Sequence, residues 1–170
     1  MGDRIKIFLL AFAMIIPLFV MMFILVPESS AERAGSFAGT WIASGQRQAF
    51  DFVEGRMVGT FRVTGHVNLK RDLGKIEDYW AECVGLSDSV SGGSARCVWR
   101  SMEGDKAYIV LTGQPLEQSS KVTGEFVGGT GSLRGIEGTF TFTWSSVFTN
   151  ESQGIITGQT KDLKGSYRIP

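Results

Sequence analysis

Cys83 and Cys97 are the only cysteines in the chain, and their type and spacing point to a definite chemistry. Each lies in a stretch where apolar and polar residues alternate, and Ser91-Gly92-Gly93-Ser94 between them is a turn signal. Strands on either side of a turn can face such cysteines towards each other, and in an oxidising compartment an even pair favours a disulfide. Two buried reduced thiols are the alternative. A metal site is poorly served, because two cysteines and the single histidine, His66, supply too few ligands of the right type.

If the cysteines are opposite each other on antiparallel neighbours, the register follows: Ala81 faces Trp99, Glu82 faces Val98, and Trp80 faces Arg100. Ala81, Cys83, Gly85, Ala95, Cys97 and Trp99 are then small or apolar and read as the inner face. Trp80, Glu82 and Arg100 remain outside. They form either a surface interaction cluster or, if that face lined a cavity, a ligand clamp.

His66 shares a polar strand face with Thr60, Arg62, Thr64 and Asn68, opposite Phe61, Val63, Val67 and Leu69. A general base needs a nucleophile or an orienting carboxylate in reach, and no Gly-x-Ser-x-Gly elbow is present. No catalytic residue, metal site or cofactor is therefore expected. The run Gly129-Thr130-Gly131-Ser132-Leu133-Arg134-Gly135 is too widely spaced for a dinucleotide fingerprint and leads into a strand where that motif needs a helix. Glu125, Glu137 and Asp51 alternate with apolar neighbours and read as outer-face or rim carboxylates. Asn150-Glu151-Ser152 fits a glycosylation triplet or a turn just past a strand.

These residues sit on a chain whose pattern is β throughout. Alternating segments cover residues 40–53, 57–70, 79–86, 95–101, 106–113, 121–128, 136–149 and 155–168, the last broken near Lys161 and Asp162. Turn signals fall between them, no amphipathic helix of useful length appears, and the 22 glycines are scattered rather than gathered into a linker. The expected fold is all-β: an antiparallel closed barrel of about eight strands, preceded by one N-terminal hydrophobic helix. The stretch 28–36, small and polar, reads as the linker. Lys+Arg and Asp+Glu both number 17 and are interspersed, so no basic field exists to attract nucleic acid.

Residues 7–26 form an unbroken run without charge, preceded by Arg4 and Lys6. A membrane crossing takes about 20 apolar residues, so the length favours an anchor with the chain beyond it outside the cytoplasm. The small residues Ser29, Ser30 and Ala31 fit a cleavable signal instead. The domains expected are 1–31, an anchor or signal segment, and 32–170, an extracytoplasmic barrel, periplasmic in a bacterium. Cleavage near Ala31 would release it as a secreted protein.

The stretch from Phe126 reads Phe-Val-Gly-Gly-Thr-Gly-Ser-Leu-Arg-Gly-Ile-Glu-Gly-Thr-Phe-Thr-Phe-Thr and ends at Trp144. Period-2 alternation puts Phe140, Phe142 and Trp144 on one face. The glycine-studded turn running into this strand resembles the allene oxide cyclase and dirigent-type β-barrels, calycin-type relatives of the lipocalins, and Gly39-Thr40-Trp41 is similar to the lipocalin Gly-x-Trp. The resemblance implies a barrel with an apolar cavity. No residue here matches either family's catalytic set.

Three readings follow. The first is a non-enzymatic exported barrel that binds a small apolar ligand in the barrel or at its mouth, lined by Tyr108, Phe126, Phe140, Phe142 and Trp144. The second is a filled barrel, tethered to the membrane by its N-terminal helix and docking to a membrane-protein partner through Trp80, Glu82 and Arg100. The third is an isomerase like the allene oxide cyclases. The first requires a real cavity; the second requires an exposed apolar patch and no cavity.

Overall fold

The computed structural model describes residues 33–115 and 119–170. The apolar run 7–26, with the anchor, signal and cleavage expectations attached to it, lies outside the described residues. Eight antiparallel strands close into a barrel in sequence order: β1 (Arg33–Val53), β2 (Arg56–Arg71), β3 (Ile76–Asp88), β4 (Gly92–Ser101), β5 (Lys106–Gly113), β6 (Ser119–Gly129), β7 (Glu137–Asn150) and β8 (Ile155–Ile169). Closure pairs β1 with β8, Arg33 opposite Ile169 and Gln46 opposite Ile155. The all-β closed barrel read from the alternation is the observed fold.

The inward face follows the period of two. Trp41 and Ala43 on β1, Val63 and Val67 on β2, Ala81 and Cys83 on β3, Cys97 and Trp99 on β4, and Ile109 and Leu111 on β5 are all buried. The register inferred from the cysteines holds, with Cys83 opposite Cys97, Ala81 opposite Trp99 and Trp80 opposite Arg100. The two sulfurs are bonded. The break near Lys161 and Asp162 is a bulge: Asp162 has φ 55°, and the β7–β8 register shifts between Thr141 and Thr143.

One boundary differs from expectation. Residues 33–36, placed in the linker by composition, are the start of β1 and pair with β8. The Ser36 backbone N–H and hydroxyl each donate to the Asp72 carboxylate at 2.6 Å, which ties this end of β1 to the β2–β3 connection. Those bonds hold the Asp72 carboxyl below its ordinary range.

Aromatic rings fill the interior. Phe140 packs 5.1 Å from Trp99 and 5.2 Å from Phe126 between ring centroids, and Trp41 lies 5.8 Å from Phe142 and 5.4 Å from Trp144. Space for these rings comes from glycines on adjacent strands: a Cβ on Gly124 or Gly165 would collide with Phe140. A ring buried this way is worth about 3–5 kcal/mol against alanine.

Candidate binding site

The two ends of the barrel are built differently. At one end the β6–β7 connection folds over the interior, with Leu133 and Ile136 both buried. Gly131 takes φ 55°, a conformation that favours glycine, and a Cβ there would also collide with the Asp105 carboxylate, which accepts the Ser132 N–H at 2.8 Å. The Ser132 hydroxyl first, and then this N–H, pull the Asp105 carboxyl below its ordinary range. Beneath this cover lies a polar knot. Arg71 Nη1 donates to the Tyr167 hydroxyl at 3.1 Å, Arg71 Nη2 meets Glu77 Oε2 at 2.6 Å, and the Tyr79 hydroxyl donates to Glu77 at 2.7 Å. Burial, and then the carboxylate beside it, push the Tyr79 phenol well above its ordinary pKa. This end is closed.

Between the knot and the rings is a cavity of about 20 Å³, lined by Arg71, Tyr79, Trp99, Phe126, Leu133 and Tyr167. That is room for about one water and for no organic ligand. Phe126, Phe140 and Phe142 point inward as expected, but they pack on one another and on Trp99, and Trp144 packs on Trp41. Tyr108 is a correction. It is 39% exposed on the outer face, because Ala107, Ile109 and Leu111 take the inward parity of β5.

Among the described residues no connection folds over the interior at the other end. The β1–β2 hairpin carries β1 past its last β8 partner at Gln46, so that Phe50 and Phe52 lie 63% and 59% exposed. Between the root of this hairpin and the β3–β4 turn runs a groove of about 670 Å³, lined by Ala49, Phe50, Val58, Leu86, Ser87 and Gly93 among others. Its volume is in the range of small-molecule sites. Ser87, beside the groove, is 3% exposed, and its Oγ is buried without a hydrogen-bond partner. The floor is fixed by Arg56, whose Nε reaches the two Asp88 oxygens at 3.2 and 3.1 Å and whose Nη2 reaches Oδ2 at 2.5 Å. Asp88 also accepts the Val90 and Ser91 N–H groups. The guanidinium first, and then these backbone donors, hold its carboxyl far below the ordinary range.

On the outer face Trp80 is 50% exposed and stands edge-on to His66, with 6.0 Å between ring centroids. Glu82 pairs with Arg62, and Trp80, Glu82 and Arg100 lie along the outer face of β3 and β4, with Trp80 opposite Arg100. Glu125 is exposed, Glu137 is exposed and bonded to Arg168, and Asp51 lies on the open-end overhang. Asn150 ends β7 and takes the Ser152 hydroxyl at 2.8 Å, the turn geometry expected just past a strand. Among the described residues no three His, Cys, Asp or Glu side chains gather to hold a metal ion.

The strand pairing of the chain itself defines an eight-stranded antiparallel closed barrel. No family model and no curated protein matches the chain. Among solved structures it is similar to a pterocarpan synthase dirigent protein, with a TM-score of 0.40 and 14% identity over 82% of this chain and 88% of that one.

Proposed function

We propose that the protein is a non-catalytic binding barrel that takes a small apolar ligand in the groove at its open end, on the extracytoplasmic side of a membrane. The observation that carries the reading is the contrast between the two spaces: about 20 Å³ among the rings and about 670 Å³ at the mouth. Phe50, Val58 and Leu86 supply apolar wall, while Thr60, Ser91, Ser94 and the Gly92–Gly93 backbone supply a few polar contacts to orient a ligand. The Cys83–Cys97 bond supports an oxidising compartment, in keeping with the apolar run 7–26 and the basic residues before it.

Binding of N-phenyl-1-naphthylamine, followed by fluorescence, tests the reading. Leu86 is exposed on the groove wall, and Leu86→Glu should weaken binding by about tenfold or more, because an apolar ligand seated there would have to desolvate the new carboxylate. Phe140→Leu, in the interior, should leave it unchanged. Equal binding by Leu86→Glu and the parent, or no binding at all, rules the groove out.

A second reading, docking to a partner protein, is favoured by one observation: Phe52, Val53 and Val90 at the same end are exposed and apolar. Native mass spectrometry separates the two, since a ligand adds a small mass and a partner adds a chain.

A further inference from the structure

Barrel closure gives every strand two neighbours, yet β1 outruns one of its own. Pairing with β8 stops at Gln46 opposite Ile155, followed by a last hydrogen bond from the Arg47 N–H to the Gly154 carbonyl at 2.7 Å. Pairing with β2 continues through Gln48 opposite Thr60, Phe50 opposite Val58 and Asp51 opposite Met57. Residues 48–53 are therefore an edge strand, exposed at every position. Successive residues of a strand direct their backbone groups to alternate sides. Arg47 directs its N–H and C=O towards β8, and the Gln48 carbonyl lies against Gly59 of β2. It follows that Ala49 and Asp51 turn their N–H and C=O groups to the free side.

We propose that this edge pairs with the same edge of a second copy about a two-fold axis through Phe50, joining the two hairpins into one sheet. An antiparallel register centred there sets Ala49 opposite the partner's Asp51, a hydrogen-bonded pair that uses the N–H and C=O of both. Phe50 meets the partner's Phe50 as a non-hydrogen-bonded pair, the closer kind, where aromatic side chains gain most. The neighbouring register, centred on Asp51, would oppose two like charges; the Phe50 register sets each Asp51 against an alanine. Gln48, Phe50, Phe52 and Val58 share one sheet face, so the joined sheet would carry a continuous apolar stripe from both copies. A free edge bearing Phe50 and Phe52, without a lysine or proline among residues 48–53, lacks the usual guards against such pairing. A second copy is the occupant this edge fits, because two-fold symmetry supplies the matching donors and acceptors and sets each Asp51 against an alanine. The inference rests on the backbone edge of residues 48–53, and Ala49 and Phe50 on that edge also line the groove, so the dimer is read by sedimentation and not by probe binding.

Sedimentation velocity of the full chain in detergent micelles, over a range of protein concentrations, tests it. A concentration-dependent dimer is expected. Ala49→Pro removes a donor on the free side while leaving the β1–β2 pairing intact, and should weaken the dimer by about tenfold or more. Phe50→Lys should do the same by placing like charges on the axis. Phe50→Cys should give a disulfide-linked dimer in air. A monomer at all concentrations, or a dimer unaffected by both Ala49→Pro and Phe50→Lys, overturns the proposal, including the case in which residues 1–32 or another protein cover the edge.

Discussion

Arg71 and Glu77 meet inside the closed end of the barrel, Nη2 to Oε2 at 2.6 Å, with each side chain only 17% exposed. The pair is partly desolvated, and Glu77 also takes the Tyr79 hydroxyl and the Lys75 ammonium, the latter at 3.2 Å. Breaking it strands a carboxylate in a poorly hydrated place. Arg71→Met should therefore cost about 2 kcal/mol of stability, and adding Glu77→Gln to it should recover part of that loss. Urea unfolding midpoints of the single and double variants check this.

The same knot makes stability sensitive to alkali. The Tyr79 phenol has its folded pKa raised above the ordinary 10.0, first by burial and then by Glu77. A raised pKa contributes stability that is complete below the unfolded value and declines as pH climbs past it. Melting temperatures of the parent should fall from about pH 10 upward. Tyr79→Phe, less stable at neutral pH, should show a shallower fall over the same range.

Asp88 acts at the acid side with the opposite sign. Arg56 and the Val90 and Ser91 N–H groups depress its pKa below the ordinary 3.8, so its contribution is present above that value and is lost as pH falls through the folded one. Asp88→Asn should lower the melting temperature at pH 5 and narrow the gap to the parent as pH drops towards about 2. Because Asp88 forms the floor of the groove, the variant should also weaken binding of the fluorescent probe.

The Cys83–Cys97 bond ties β3 to β4 within the core. Protein denatured without reductant should show no free thiol, and reduction should cost about 3 kcal/mol of stability. Thiol titration in guanidinium, followed by unfolding with and without reductant, reads both.

Most of the barrel was legible because a half-buried strand must alternate, and the segments do so from Ala43 to Leu163. The cysteine register was legible for the same reason. The same parity reaches the closed-end knot: the inward face runs back from Ala81 to Tyr79 and Glu77, and forward from Val67 through Leu69 to Arg71. The outward face of Tyr108 is not legible, because Tyr108 and Val110 are as apolar as Ala107 and Ile109 and composition does not say which face of β5 is inside. Phe50 and Phe52 share the outward parity of Ile42, a hint that they are not core. The overhang itself depends on where β8 stops pairing, a long-range fact with no local signature. The groove joins residues 48–50, 58–60 and 86–94, and only barrel closure brings them together.

Chemical-shift mapping with an apolar probe tests most directly whether ligand binds at the mouth of a filled barrel. Isotope-labelled protein lacking residues 1–31 would be titrated with N-phenyl-1-naphthylamine and its amide signals followed. Shifts confined to Gln48, Phe50, Val58, Thr60 and the stretch from Leu86 to Ser94 are the expected result. Shifts centred on Phe126, Phe140 and Phe142, with the groove signals unmoved, would contradict it and place the ligand among the rings.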